Sequence, residues 1–142
     1  MGNLPNEVKN TLETLQDKGF QAFVVGGCVR DILIKRTPED WDIATEATPE
    51  EIQKIFPHNF YENKFFTVTI QTGSQDPVLQ DIEITTFRSD AKYGDRRHPE
   101  KVEYATTIEE DLSRRDFTVN AIALTLKGDL IDPFEGEKDL KK

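Results

Sequence analysis

Two aspartates stand two positions apart in the segment 38–45, which reads PEDWDIAT. The apolar residues around Asp40 and Asp42 are typical of a strand that enters a core. Because side chains alternate along a strand, both carboxylates should project from one face, while Trp41 and Ile43 project from the other. Such a pair repels itself unless a cation or an arginine neutralises it, and oxygen ligands of this kind suit Mg²⁺ completed by substrate phosphates. An exposed strand end with two acids is the alternative, and Asp-x-Asp alone favours it.

A third acid comes from the segment DIEITTF at 81–87. Its alternation places Asp81 and Glu83 on one face and the two isoleucines on the other. If this strand lies beside PEDWDIAT, one of these acids completes a three-carboxylate cluster, and alternation does not choose between them. A one-sided sheet with an acidic solvent-facing surface explains the same pattern equally well.

A glycine turn precedes the two aspartates in the segment VVGGCVRD. Gly26 and Gly27 follow an apolar strand and precede a helix, so backbone N–H groups can approach phosphate oxygens closely. Arg30 adds a forked donor for a triphosphate, although a basic side chain in the first turn opposes the helix dipole. The alternative is a tight turn in which Arg30 pairs with Asp31. The segment is neither the dinucleotide fingerprint nor a Walker loop.

A further charged segment, LSRRDFTVNA, combines Arg114, Arg115, Asp116 and Asn120. Two arginines beside an acid and an amide can bind phosphate and ribose hydroxyls. Taken in isolation, a helix C-terminus with an Asp–Arg ion pair explains this segment better.

The composition is that of one globular domain. The chain has 142 residues, of which 36% are hydrophobic and 32% charged, and its formal net charge is −9. These values argue against disorder and against a generally basic surface for nucleic acid. No apolar run approaches the ~20 residues of a membrane span, and the single cysteine, Cys28, excludes a disulfide framework. We therefore expect a soluble cytoplasmic protein that binds no membrane, and the sequence indicates no oligomeric state.

The elements that must position these residues alternate between helix and strand. The patterns predict helices over about 4–19, 29–35, 48–56, 107–114 and 119–126. They predict strands over 20–25, 41–45, 65–71, 81–87 and 130–131, with 65–71 and 81–87 paired as a hairpin across a long polar connection. The polar segment 89–100 is predicted to be a loop.

Taken together, these segments resemble the head domain of class II tRNA nucleotidyltransferases and bacterial poly(A) polymerases, the CCA-adding enzymes and their relatives. The residues that carry the resemblance are VVGGCVRDILIKRTPEDWDIATEATPEEI, IEITTFRSD and EEDLSRRDFTVNAIAL, in that order. The resemblance covers nearly the whole chain. It implies an α/β (α+β) fold of the polymerase-β nucleotidyltransferase type, with a small mixed sheet flanked by helices. It also implies that residues 1–142 form one catalytic head domain that stops before or at the start of the neck, without body and tail domains.

The resemblance gives a metal and phosphate role to the first segments. By this likeness, Asp40 and Asp42 bind two Mg²⁺ ions, and Glu83 is the third catalytic carboxylate. The residues implied to hold the nucleotide triphosphate are Gly26, Gly27 and Arg30.

The later segments receive nucleotide-binding roles by the same likeness. Arg115 is implied to contact nucleotide phosphate, while Asp116 and Asn120 address the ribose or brace the site. Arg88 and residues 89–100 correspond to the flexible loop that family members use when they switch from C to A addition.

The implied activity is template-independent addition of CMP and AMP, from CTP and ATP, to the 3′ end of tRNA by two-metal chemistry, with release of pyrophosphate. A poly(A) polymerase, an A-adding enzyme and a CC-adding enzyme are alternatives within this class. A nucleotide-binding module without turnover is the alternative outside it, and the presence of Asp40, Asp42 and Glu83 together speaks against it. We expect the chain by itself to bind NTP with Mg²⁺ weakly and with little base choice. We also expect it not to extend tRNA productively, because base selection and most tRNA contacts would come from further domains.

Overall fold

The computed structural model describes residues 4–62, 67–89, 103–104, 107–113 and 122–133. The helices in these ranges are α1 (Asn6–Asp17), α2 (Gly27–Leu33), α3 (Pro49–Ile55) and α4 (Ile108–Ser113). The strands are β1 (Ala22–Val25), β2 (Asp42–Thr45), β3 (Asn59–Glu62), β4 (Thr67–Gln71), β5 (Asp81–Thr86), β6 (Arg88–Ser89), β7 (Glu103–Tyr104), β8 (Ala123–Leu124) and β9 (Leu130–Ile131). None of these helices has the length and apolar character needed to cross a lipid bilayer.

Seven of the strands form one mixed sheet in the order β3-β4-β5-β2-β1-β8-β9. Strands β2 and β5 run parallel, and every other neighbouring pair in this sheet runs antiparallel. A separate two-stranded sheet joins β6 to β7. The predicted small mixed sheet flanked by helices is therefore confirmed, as is the hairpin formed by β4 and β5.

Helix α1 presents one apolar stripe to the sheet. Val8, Leu12 and Leu15 recur at helical spacing and are fully buried in the main core. The helix ends in a Schellman motif, in which the N–H of Phe20 donates to the carbonyl of Leu15 at 3.0 Å. Gly19 occupies the left-handed position of this motif with φ +90°. The turn sends the chain directly into β1.

Hydrophobic clusters cover both faces of the centre of the sheet. On one face, α1, α2 and α3 pack over a large cluster that includes Val24, Ile43 and Ile84. On the other face lies a smaller cluster, which contains Val25, Ala44, Phe87, Ile108, Leu112 and Ala123. Strand alternation divides the sheet residues between the two clusters. The central strands β1 and β2 are consequently buried on both sides.

The segment before α3 behaves as its sequence predicts. The Thr48 hydroxyl accepts from the N–H of Glu51 at 3.3 Å, and the Glu51 carboxylate accepts from the N–H of Thr48 at 2.9 Å. This capping box, followed by Pro49 at the first helical position, fixes the start of the helix.

The helix predicted over 119–126 is wrong where the structure describes it. Ala123 and Leu124 form β8, which pairs with β1 on one side and with β9 on the other. Both residues and Ile122 are fully buried. A strand covered on both faces has a continuous apolar run, which hydrophobic periodicity does not distinguish from a buried helix. Strand β3 was not anticipated by the sequence patterns either.

Candidate active site

Asp42 and Glu83 are partners across the parallel pair of strands. Asp42 is the first residue of β2, and its Cα partner in β5 is Glu83. The N–H of Glu83 donates to the carbonyl of Trp41 at 3.1 Å, which fixes this register. Partners in adjacent strands project from the same face, so the two carboxylates share one side of the sheet. The register thus places Glu83, and not Asp81, opposite Asp42.

Asp40 lies in the same region, but its position is not set by the pairing of the strands. It is exposed and lies in a bend before β2, so strand alternation does not set its direction. Trp41 and Ile43 are buried in the main core, as the sequence predicts. Asp40 and Asp42 nevertheless line one cavity, whose volume is about 380 Å³.

Both signs of charge line this cavity. Two arginines and four carboxylates contribute to its wall, which consists of Gly27, Cys28, Arg30, Asp31, Arg36, Thr37, Glu39, Asp40 and Asp42. Glu83 lies beside Asp42 in the sheet and is not part of this wall. An anionic ligand with bound cations can satisfy such a mixed lining, because each charge of the wall then finds an opposite charge.

The glycine turn brings two charged side chains close to the backbone. Gly26 has φ +81°, and a Cβ atom placed on it would lie 3.3 Å from Oδ2 of Asp42. A Cβ atom on Gly27 would lie 3.3 Å from a guanidinium nitrogen of Arg30. A side chain at either position would therefore have to displace a neighbouring charged group slightly, and Gly26 is also favoured by its positive φ.

Arg30 makes the ion pair that the sequence left open as an alternative. Its guanidinium lies 3.5 Å from the carboxylate of Asp31, and the two side chains are 40% and 21% exposed. Both side chains also line the cavity. The ion pair and a phosphate contact are compatible, because an arginine has five donors and this contact uses one of its nitrogens.

Arg36 is a cavity residue that the sequence patterns did not reveal. Helix α2 ends in a second Schellman motif, in which the N–H of Arg36 donates to the Asp31 carbonyl at 2.7 Å and the N–H of Lys35 to the Ile32 carbonyl at 3.1 Å. Lys35 has φ +61°. This turn brings Arg36 back to the cavity. Arg36 forms no salt bridge with any residue that the structure describes.

Only a weak signal for this turn is present in the sequence. A glycine at position 35 would have indicated a helix C-terminus, whereas the lysine there conceals the left-handed residue. Thr37 and Glu39, which follow in the same loop, were missed for the same reason although they also line the cavity.

Cys28 lies in the cavity wall as a buried, protonated thiol. Its Sγ donates to the carbonyl of Val25 at 3.0 Å. Burial raises the pKa of the Cys28 thiol to about 12, and the negative charge of Asp42 acts in the same direction. The thiolate is thus disfavoured at neutral pH, which makes Cys28 a structural residue of the glycine turn and not a nucleophile.

The donor chemistry of the site fits Mg²⁺. Asp40 and Asp42 offer hard oxygen ligands at a cavity that also holds arginines, and Glu83 is adjacent in the sheet. Among the residues that the structure describes, no three His, Cys, Asp or Glu side chains are grouped so as to hold a metal ion. The three-carboxylate cluster therefore stays a prediction.

Several residues with predicted roles lie outside the described part of the chain. These are Arg115, Asp116 and Asn120, together with the side chain of Arg88 and most of the predicted loop, residues 90–100. Their roles also stay predictions.

Comparison with known proteins gives a consistent family match. Residues 22–142 match the family described as the poly A polymerase head domain. A CCA-adding enzyme from Lactobacillus delbrueckii subsp. bulgaricus is 46% identical over 132 residues, which are 92% of this chain and 32% of the relative. The chain therefore spans about a third of the length of this relative.

Solved structures show the same likeness. The Bacillus stearothermophilus CCA-adding enzyme in complex with CTP aligns with a TM-score of 0.81 and 38% identity, covering 95% of this chain and 31% of that one. A tRNA nucleotidyltransferase complexed with a primer tRNA and an incoming ATP analog aligns with a TM-score of 0.69 and 33% identity, covering 92% of this chain and 36% of that one.

Proposed function

Because this chain belongs to the poly(A) polymerase head-domain family, we propose that it is the catalytic head of a tRNA nucleotidyltransferase of the CCA-adding type. The whole protein would add CMP and AMP, from CTP and ATP, to the tRNA 3′ end and release pyrophosphate. One observation carries the proposal: Asp42 and Glu83 are partners on one sheet face, beside a cavity that Asp40 and Arg30 also line. Relatives of known structure were solved with CTP and with a primer tRNA and an ATP analog, which supports these substrates.

We assign all of residues 1–142 to the head domain. The relatives are about three times longer than this chain. In a whole protein of that length, the remaining part would supply base selection and most of the grip on the tRNA. The net charge of −9 is consistent with this division, because an acidic head is poorly suited to binding an RNA duplex by itself.

Three carboxylates would hold the catalytic metal ions. Asp40 and Asp42 would bind two Mg²⁺ ions, and Glu83 would complete the ligand set on the side of the RNA. Bound Mg²⁺ would supply activation of the 3′-hydroxyl and stabilisation of the charge on pyrophosphate. The protein's own contribution would be to hold these carboxylates in place, and the β2–β5 pairing supports this for Asp42 and Glu83.

The arginines of the cavity would bind the triphosphate. Arg30 and Arg36 both line it, and Arg36 has no salt bridge within the described residues, so it can bind an anion without breaking one. Gly26 and Gly27 would let the triphosphate approach the backbone. Further contacts to phosphate and ribose would come from Arg115, Asp116 and Asn120, as the resemblance implies.

The test is product analysis with the full-length protein. Incubation with a tRNA that lacks its CCA end, with each NTP singly and with CTP and ATP together, should yield Mg²⁺-dependent extension by C, C and A. Addition of A alone, of CC alone or of long A tails would assign the chain to the other enzymes of this class. NTP binding without any extension would refute the catalytic proposal.

The matched variants are Asp42→Asn and Asp17→Asn. Asp42→Asn should reduce extension by at least about a thousandfold, because a metal ligand is lost while the side chain keeps its size. Asp17 is an exposed residue at the end of α1, so its variant should keep wild-type activity. Full activity of the Asp42→Asn protein would overturn the assignment.

A further inference from the structure

Phe60 is unusually exposed for a large aromatic side chain in a strand. Within the described residues, only two large hydrophobic side chains are exposed, Phe60 at 46% and Ile34 at 37%. Single exposed apolar residues are ordinary on protein surfaces, so exposure by itself indicates nothing. The position of Phe60 in the sheet distinguishes it from Ile34, which follows α2 as its C-cap.

Phe60 belongs to the same row of the sheet as the candidate carboxylates. Its Cα partner in β4 is Thr69, the partner of Thr69 in β5 is Glu83, and the partner of Glu83 in β2 is Asp42. Partners in neighbouring strands project from the same face, so these four side chains share one side of the sheet. With strands about 4.8 Å apart, the Cα atom of Phe60 lies about 10 Å from that of Glu83 and about 14 Å from that of Asp42.

This face of the sheet is covered at one end and exposed at the other. The row continues from Asp42 to Val25 and Ala123, which are buried in the smaller cluster with residues of α4. In the opposite direction, Glu83 and Phe60 are both exposed, and the small side chain of Thr69 is buried between them. The neighbouring Tyr61 packs against the main core on the other face, so Phe60 points away from that core. This part of the row thus has the carboxylates of Asp42 and Glu83 on one side and the aromatic ring of Phe60 on the other.

The charge of this surface selects the kind of contact that it can make. Between Asp42 and Phe60 the row contains one further carboxylate and one hydroxyl, and no basic side chain. These four side chains therefore offer no cation to the phosphates of a polynucleotide. An unpaired base carries no net charge, and aromatic side chains on a sheet face are a common platform on which bases stack.

We propose that Phe60 is a stacking platform for an unpaired base at the 3′ end of the RNA primer. The inference rests on the proposed function, which aims the primer 3′-hydroxyl at the Asp42–Glu83 pair. The separation of about 10 Å between the Cα atoms of Glu83 and Phe60 is one that a terminal nucleotide or its neighbour can span. Since every base has a π face, stacking holds primers with different terminal bases and suits successive rounds of addition.

The first test compares three substitutions of Phe60 in the full-length protein. Phe60→Ala and Phe60→Leu should raise the KM for the RNA primer by about fivefold to a hundredfold, the range expected for one lost base–aromatic stack. The KM for NTP should not change. Phe60→Tyr should behave as the wild type, because it retains an aromatic ring. Ile34→Ala, the matched loss of the other exposed apolar side chain, should leave the primer KM unchanged.

The second test detects the stack directly and needs no turnover. A primer with 2-aminopurine at its 3′-terminal or penultimate position should be quenched on binding to the wild-type protein and to the Phe60→Tyr variant. Quenching should be lost with Phe60→Ala and with Phe60→Leu. This assay keeps the inference separate from the proposed activity, because it reports on the ring even if no nucleotide is added.

Two outcomes would overturn the inference. An unchanged primer KM and unchanged quenching in Phe60→Ala would show that the ring does not touch the primer. Wild-type behaviour of Phe60→Leu combined with a lowered melting temperature of Phe60→Ala would show that the side chain packs against another protein segment instead. Failure of the proposed function has a different signature: either the wild-type protein would not extend the primer, or Asp42→Asn would extend it as fast as the wild type.

Discussion

Gly26 and Asp42 approach each other so closely that only a glycine fits without adjustment. A Cβ atom on Gly26 would lie 3.3 Å from Oδ2 of Asp42, and the glycine has φ +81°. The turn between β1 and α2 therefore forms a wall against which the Asp42 carboxylate is held. The backbone conformation of this turn and the position of Asp42, a candidate metal ligand, therefore both depend on Gly26.

The first prediction concerns this contact. Gly26→Ala should lower the free energy of unfolding by about 1–3 kcal/mol, because φ +81° with ψ −151° is a conformation that is essentially restricted to glycine, and should also impair nucleotide addition by displacing Asp42. Gly73→Ala is the matched control, because Gly73 has φ +77° and nothing within 4 Å of its added Cβ. Urea denaturation should show similar losses for both variants, while the activity loss should be confined to Gly26→Ala. Equal activity of the two would contradict the role of the contact.

The second prediction uses the register of β5. Glu83→Gln should reduce nucleotide addition by at least about a hundredfold, because Glu83 is the Cα partner of Asp42. Asp81→Asn should have little effect on nucleotide addition. Asp81 pairs only with Gln71 of β4, and it has no partner in β2, because the β2–β5 pairing starts at Glu83. Steady-state rates of nucleotide addition at saturating Mg²⁺ measure the effect of each of the two substitutions. A larger loss from Asp81→Asn than from Glu83→Gln would mean that the third carboxylate has been misassigned.

The third prediction concerns Arg36, which the sequence patterns did not identify as a residue of the cavity. Arg36→Ala should raise the KM for ATP and CTP by about tenfold, because a charge-assisted hydrogen bond to phosphate is lost. The affinity for AMP should hardly change, since AMP lacks the outer phosphates. Lys54→Ala, an exposed basic residue of α3, serves as control. Equal weakening of ATP and AMP binding would point to a general structural defect instead.

The fourth prediction follows from the raised pKa of Cys28. The folded protein holds this thiol proton to about pH 12, above the ordinary value of 9.0. The group therefore contributes full stability below pH 9, and this contribution is lost as the pH rises from 9 towards 12. Denaturation curves at increasing pH should show a steeper fall in unfolding free energy for the wild type than for Cys28→Ala. If the unfolding free energies of the wild type and of Cys28→Ala fell in parallel as the pH rises, this prediction would be wrong.

Thiol labelling provides a second measurement on the same residue. Iodoacetamide at pH 8 should modify Cys28 rapidly in urea and very slowly in the folded protein, because the thiol is 3% exposed and protonated. Rapid labelling under native conditions would contradict the buried position.

Local sequence signals predicted the elements that local chemistry determines. The Thr48 capping box and the apolar stripe of α1 appear where the sequence places them. Trp41 and Ile43 are also buried, as the alternation of the sequence predicts, although Trp41 lies just before β2. These features depend on residues a few positions apart, which is the range over which propensity and periodicity carry information.

Features that depend on distant partners were less predictable. The apolar run at 122–124 is a strand only because β1 and β9 lie on its two sides. Strand alternation left Asp81 and Glu83 open; the resemblance named Glu83, and the β2–β5 register pairs it with Asp42. A local feature was missed as well: Lys35 takes the left-handed position of a Schellman motif with φ +61° without a glycine to mark it, so Arg36 was not anticipated.

The parallel pairing of β2 with β5 has a consequence for the order in which the protein can fold. Asp42 and Glu83 are adjacent in the sheet, although α3, β3 and β4 lie between them in the chain. A nascent chain therefore carries the glycine turn and both aspartates before the strand with the third carboxylate has been made. Closing so long a connection is among the slower steps of folding. We expect cation affinity to appear late and abruptly during synthesis, at the point when β5 pairs with β2.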